Sequence, residues 1–243
     1  MSIKLNCDMG ESFGIWKMGS DDKIMPYIDM ANLACGFHAG DALTMKKSVA
    51  LAKKNKVSIG AHPGYQDLVG FGRRSITCTK EEISSIVLYQ IAALSGFCAA
   101  QESNISYVKP HGALYNDMMK DEDIFRAILS AVSSFDKNIN LMILSSSKNK
   151  EYETIAKECG IDLLYEVFAD RNYNDDGSLV SRVETNAVIH DEKEVINRVI
   201  TLKQNGFLYS ISGEKLFLKT DTICVHGDNE KALDFIKILR KAI

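Results

Sequence analysis

The sequence predicts one α/β domain over residues 1–243, a distorted, TIM-like parallel β/α barrel of about seven strands. Three observations lead there. Short apolar, β-branched runs alternate with longer amphipathic stretches along the whole chain. Residues able to do chemistry follow those runs one after another. The three prolines, Pro26, Pro63 and Pro110, all lie in the first half, and no Pro/Ser-rich linker, charge block or low-complexity tract divides the chain.

The strand candidates are, in order, IKLNC from residue 3, YIDMANLAC from 27, VSIGA from 57, ISYVK from 105, NLMIL from 140, LLYEVFA from 163 and DTICVH from 221. Between them the helices carry start signals. Asp41 caps a helix running to about Asn55, and Thr79 with Glu82 forms a capping box for a helix whose Ile83, Val87, Ile91, Leu94 and Cys98 make one apolar stripe. Later helices are expected over about 121–134, 148–158, 191–204 and 228–241. Gly160 and Gly206 stand where two of them need a left-handed cap, and Ala232, Phe235, Ile236 and Leu239 give the last one an apolar face. FLYSISGEKLFL, from 207, reads as a hairpin turning at Ser212-Gly213-Glu214.

Strand–helix alternation also fits an open doubly wound sheet. Asp8, His38, His62, His111, Asp170 with Arg171, and His226 with Asp228 each follow a different strand. A barrel gathers all its carboxyl strand ends around one mouth, whereas an open sheet brings together only those beside its switch point. The barrel is therefore preferred.

Composition excludes several functions. With 29 basic and 32 acidic residues the net charge is -3, so no positive field holds nucleic acid or an anionic membrane. There is no basic start followed by an apolar run as in a secretory signal, and no stretch approaches the roughly 20 apolar residues of a membrane span. The six cysteines, Cys7, Cys35, Cys78, Cys98, Cys159 and Cys224, lie far apart without CxxC spacing, as expected of free thiols in a reducing cytoplasm.

Histidine carries the sharpest signal. Four of five follow strands in glycine-flanked loops, GFHAGD, GAHPG, PHGAL and VHGD, while His190 starts a helix. Imidazole suits proton transfer near neutral pH, anion binding or metal ligation. The first loop adds Asn6, Asp8 and Glu11; a carboxylate there can act as base, bind metal or cap a turn. Asp8, His38 and His62 are the candidate metal set, although no HxxxH or HExxH spacing supports it. GYQDLVGFGRRS places Arg73 and Arg74 among glycines, suited to a carboxylate or phosphate or to a solvated turn. Lys109 ends an apolar strand and must find a partner or ligand. FADRNYNDDGSLVSR, holding Asp170 and Arg171, reads as a loop covering the site or an ordinary salt-bridged one. No GxxxxGK[ST] is present, GFGRRS fails GxGxxG, and there is no GxSxG elbow, so nucleotide binding is not read from a motif.

Taken together, NCDMGESFG, ANLACGFHAGD, GAHPGYQDLVGFGRR, YQIAAL, VKPHGALYN, EVFADRNY, DGSLVSR and ICVHGD resemble the lactam-utilisation LamB/YcsF family from about residue 3 to 241. Met9 stands where the family pattern has Leu, and Met30 where Ser is usual, both beside the polar set. The resemblance implies a seven-stranded barrel of the glycoside hydrolase/deacetylase type and the role of the A subunit of an ATP-dependent 5-oxoprolinase. That enzyme, a hydrolase acting on a cyclic amide, converts 5-oxo-L-proline to L-glutamate with ATP and Mg2+ as cosubstrate, and works together with subunits B and C. On that reading Asp8, with Glu11 nearby, handles water. His38, His62, Lys109 and His111 stabilise an oxyanion or phosphoryl group, and Arg73 or Arg171 grips the substrate carboxylate. Asn6, Arg74 and Asp170 join the substrate or phosphate set, and His226 and Asp228 close the ring. The alternatives are a stand-alone, divalent-metal-dependent deacetylase-like amidohydrolase and a non-catalytic subunit for substrate binding or docking. A homo-oligomer is compatible with each.

Overall fold

Seven parallel strands close into a barrel in the computed structural model, which describes residues 3–225 and 232–243. The strands in chain order are β1 (Lys4–Met9), β2 (Met30–Ala34), β3 (Ser58–His62), β4 (Ile105–Val108), β5 (Asn140–Leu144), β6 (Leu163–Phe168), the hairpin strands β7 (Phe207–Tyr209) and β8 (Lys215–Phe217), and β9 (Thr222–Val225). Neighbours pair in sequence order from β1 to β6, and β9 closes the ring by pairing with both β6 and β1. The open sheet is thereby excluded. The second expected strand is shorter than its apolar run, because Pro26 starts a 3-10 turn, Met25–Tyr27, and pairing begins only at Met30.

The helices are α1 (Asp21–Ile24), α2 (Ala42–Asn55), α3 (Lys80–Ala99), α4 (Gly112–Met118), α5 (Glu122–Phe135), α6 (Asn149–Glu158), α7 (Glu192–Asn205) and α8 (Ala232–Ala242). Asp41 caps α2 through the Thr44 amide, Thr79 and Glu82 form the capping box of α3, and Gly206 ends α7 in the left-handed region. Replacing Thr79 by Ala is expected to cost about 1 kcal/mol, or about 2–4 °C in Tm by calorimetry. By length and composition α3 could cross a bilayer, the one described helix of which that is true. Its stripe Ile83, Val87, Ile91, Leu94 and Cys98 is instead buried in the core. The start expected for α8 near residue 228, the side chain of Ala232, and His226 and Asp228 lie outside the described residues; Ile236 and Leu239 are buried as expected.

Alternation along each strand separates two cores. Leu5, Cys7 and Met9 of β1, like Ala31 and Leu33 of β2, join the large cluster beneath the helices. Within the barrel, Met30, Tyr107 and Met142 form a separate small cluster, with Leu164 against it. A polar layer accompanies it: Tyr107 OH donates to Asn32 Oδ1 at 2.7 Å, Asn32 Nδ2 to Asn6 Oδ1 at 2.8 Å, and Asn6 Nδ2 to Thr222 Oγ1 at 3.0 Å. Gly60 makes room for this layer. A Cβ there would clash with the edge of the Tyr107 ring, and the β3–β4 register shifts at this point.

Candidate active site

The carboxyl end of the barrel opens into a cavity of about 590 Å3, lined among others by Asp8, Glu11, His62, Arg73, Lys109 and His111. Asp8, near the end of β1, is held from several sides. Its Oδ1 accepts from Asn32 Nδ2 at 2.7 Å and from Lys109 Nζ at 3.0 Å, and its Oδ2 lies 3.4 Å from His62 Nε2. Burial pushes its pKa up, but His62 and Lys109 outweigh that and hold the carboxyl well below its usual range, so it is ionised at neutral pH.

Lys109 finds the partner that an apolar strand end demands. Its ammonium bridges Asp8 and Glu166, the latter at 2.8 Å, and also donates to Asn6 Oδ1 at 3.3 Å. Glu166 is fully buried in β6, and its Oε2 accepts from Tyr115 OH at 3.0 Å. Burial disfavours the Lys109 charge, yet Asp8, Cys224 and Glu166 raise its pKa well above the ordinary value. With these partners Lys109 acts as the fixed counter-charge of the floor.

The histidines form one cluster. His62 Nδ1 lies 2.6 Å from the Lys109 carbonyl and His111 Nε2 lies 2.9 Å from the Phe71 carbonyl, so each outer nitrogen carries hydrogen and donates it. The inner atoms, His62 Nε2 and His111 Nδ1, then face each other at 3.0 Å and require a proton or another cation between them. His38 stacks flat on His111 with ring centres 3.7 Å apart, is fully buried, and has no hydrogen-bond partner at either nitrogen. Burial, helped by His111 and His62, keeps His38 well below its ordinary pKa; burial and then His62 push His111 down to about 3. Glu11 Oε1 stands 3.7 Å from His38 Nε2 and 3.8 Å from His111 Nδ1, and burial, with Asp8 and Asp21, pushes its carboxyl up to about 8.

Local backbone serves the cluster. Phe71 and Gly72 both adopt positive φ, which turns the Phe71 carbonyl toward His111. A side chain at Gly72 would also collide with His38 and His111.

Not every expected residue reaches the cavity floor. Arg73 lines the cavity with its guanidinium 5.2 Å from the Phe71 ring centre, but Arg74 turns away and forms a two-pronged pair with Asp67 inside its own loop. Arg171 is buried and gives its guanidinium to the carbonyls of Val180 and Ala187. It thereby folds down a segment whose residues 178–183 line the cavity, so the loop covers the site. Asp170 does not line the cavity; its carbonyl accepts from the Ile189 amide at the base of the same loop. Asn6 belongs to the polar layer under Asp8. For a metal, Asp8 is not the convergent carboxylate: Glu11, His38, His62 and His111 bring one ligand atom each within 4.8 Å of one another.

Asn32, Glu166 and Tyr115 were not expected from sequence. Asn32 and Glu166 carried a usable signal, a polar residue inside the apolar runs MANLAC and LLYEVFA, the same signal that singled out Lys109. Tyr115 carried none, since it sits on the short helix α4 that no periodicity announced.

A closed parallel β/α barrel that gathers an ionised carboxylate, a buried lysine and an imidazole cluster at its carboxyl mouth has the site location and side-chain chemistry of a β/α-barrel enzyme. The chain belongs to the LamB/YcsF family, whose profile matches residues 3–243. It is 55% identical over 241 residues to a Vibrio vulnificus (strain YJ016) protein named as the A subunit of 5-oxoprolinase, covering 99% of this chain and 97% of that one. A protein of the same name from Pyrococcus horikoshii is 50% identical over 243 residues, 100% of this chain and 94% of its own. The crystal structure of the lactam utilization protein from Thermus thermophilus superposes with a TM-score of 0.92 at 38% identity, covering 100% of this chain and 96% of that one.

Proposed function

We propose that this chain is the A subunit of an ATP-dependent 5-oxoprolinase and that the barrel mouth is where the lactam is opened, together with subunits B and C. The observation that carries the reading is the ionised Asp8, buttressed by Lys109 and Asn32, at the floor of a cavity that also presents His62, His111 and Arg73. Its supporting context is the full-length similarity to relatives that bear the 5-oxoprolinase name.

The lactam carbon of 5-oxoproline is a poor electrophile because its nitrogen lone pair is delocalised. Phosphorylation of the lactam oxygen by ATP releases ADP and makes that carbon reactive. Water then adds to the carbon, giving its proton to Asp8, and the ring C–N bond breaks as the nitrogen takes up a proton. A second water hydrolyses the resulting acyl phosphate to L-glutamate and phosphate. The charge developing on oxygen and phosphate needs fixed positive groups. Lys109 at the cavity floor supplies one, and Arg73 on the cavity wall supplies the second or holds the substrate carboxylate. The covering segment, residues 178–183, limits the entry of bulk water. ATP with Mg2+ is the cosubstrate on this reading, and the chain works in the cytoplasm.

Mixing the purified chain with subunits B and C and following glutamate from 5-oxoproline tests the proposal. Turnover is expected only with all three chains and ATP. Activity of this chain alone, independent of ATP and lost on chelation, would instead support the metal-dependent amidohydrolase, a reading favoured by the Glu11 and histidine cluster. Full turnover by B and C without this chain's Asp8 would leave it a docking subunit.

A further inference from the structure

We propose that Glu11, His38, His62 and His111 form a binding site for one divalent first-row transition cation of the zinc class, at the side of the same cavity. The ligand atoms already sit near coordination spacing. His62 Nε2 and His111 Nδ1 are 3.0 Å apart, and Glu11 Oε1 is 3.7 Å and 3.8 Å from His38 Nε2 and His111 Nδ1. Bonds of about 2.0–2.1 Å in a tetrahedral site imply ligand separations of about 3.3 Å, so the His62, His111 and Glu11 atoms need only small shifts, while the full set, spread over up to 4.8 Å, has to close further through His38.

The hydrogen bonds around the cluster have the pattern of a metal's outer shell. His62 donates its outer N–H to the Lys109 carbonyl and His111 to the Phe71 carbonyl, which fixes both tautomers and turns both inner lone pairs toward one point. Two lone pairs facing each other at that distance repel unless a cation lies between them. A shared proton satisfies those two atoms but leaves His38 unexplained.

His38 is the second, independent observation. Its ring is wholly buried with neither nitrogen hydrogen-bonded, a costly arrangement for an imidazole that has no ligand. Its position is made by glycines: a Cβ on Gly64 would press on His38 Nδ1 and one on Gly72 on its Cβ. Because the ring now stacks parallel to His111, a rotation of His38, restrained by no hydrogen bond, is needed to aim its lone pair at the common point. Three imidazoles and one carboxylate suit zinc, cobalt(II) or manganese(II) rather than calcium or magnesium, which prefer oxygen donors. Asp8 stays outside the set, its Oδ1 taken by Lys109 and Asn32, and remains available as a base beside the cation.

The test reads metal and not turnover, so its outcome is separable from that of the lactam proposal. The full chain is stripped with a chelator, incubated with Zn2+, Co2+ or Mn2+, freed of excess ion by gel filtration and analysed for metal content. One cation per chain is expected for at least one of the three, with Co2+ giving the visible d–d bands of a four-coordinate nitrogen-rich site. His38→Gln and His111→Gln should each weaken binding by more than the roughly 10- to 100-fold lost when only an outer-shell partner of a ligand is removed, while His190→Gln, at an exposed position just before α7, should not change it. Substoichiometric metal in the wild-type chain, or binding that survives both His38→Gln and His111→Gln, overturns the site. Should either variant fail to fold by circular dichroism, the wild-type stoichiometry and cobalt spectrum decide by themselves.

Discussion

Replacing Asp8 by Asn is expected to lower glutamate release by the complete three-subunit mixture by about a hundred- to ten-thousand-fold, the range lost when a general base is removed. The fold should survive. Asparagine is nearly isosteric, its Oδ1 can still accept from Asn32 and Lys109, and Lys109 keeps its ion pair with Glu166. What disappears is the negative charge that accepts a proton from water. His62 and Lys109 keep that carboxyl ionised well below its usual range, so Asp8 itself sets no lower pH limit near neutrality. Since its folded pKa is depressed, the stabilisation it contributes is present above the unfolded pKa and is lost only as pH falls through the lower folded value. A Tm within a few degrees of wild type together with near-normal turnover would remove Asp8 from the mechanism.

Lys109→Met should have the largest effect on stability. The ammonium is buried and lies between two carboxylates, so its removal strands Glu166 without a counter-charge inside the barrel. Breaking a buried ion pair from one side costs about 3–5 kcal/mol. A second substitution separates this from simple loss of packing. In Lys109→Met with Glu166→Gln the stranded charge of Glu166 is gone, Asp8 keeps Asn32 and His62, the glutamine can still accept from Tyr115, and much of the lost stability should return. Urea unfolding of wild type, both single variants and the double variant measures the coupling. Additive losses would show that the two groups do not act as a pair.

Asp8 and Lys109 differ in how far each was legible in the chain. Asp8 could be read directly, since a carboxylate just after an apolar strand in a β/α repeat falls at the mouth. Lys109 could be read as a charge in need of a partner, but the partner could not be named. Glu166 lies 57 positions further on, in a strand that the sheet places two away from β4, and only the tertiary fold brings its carboxylate to the Lys109 ammonium. Arg74 shows the reverse case: beside Arg73 in the same glycine-rich loop, it is drawn off by Asp67, a contact fixed by the local turn. Arg171 likewise carries a charge suited to a ligand but gives its donors to its own loop's carbonyls.

The order of residues was enough to set the number and succession of the barrel strands, the caps of α2, α3 and α7, and which strand ends carry histidine and carboxylate. Those features follow from local periodicity and capping chemistry, which act over a few residues. Which polar groups share a partner was settled only in three dimensions. The tertiary fold paired Lys109 with Glu166 beside Asp8, and it gathered Glu11 with His38, His62 and His111 instead of the Asp8, His38 and His62 set. Ring closure sets distances between side chains far apart in sequence, and at this scale an ångström separates a hydrogen bond from a ligand atom.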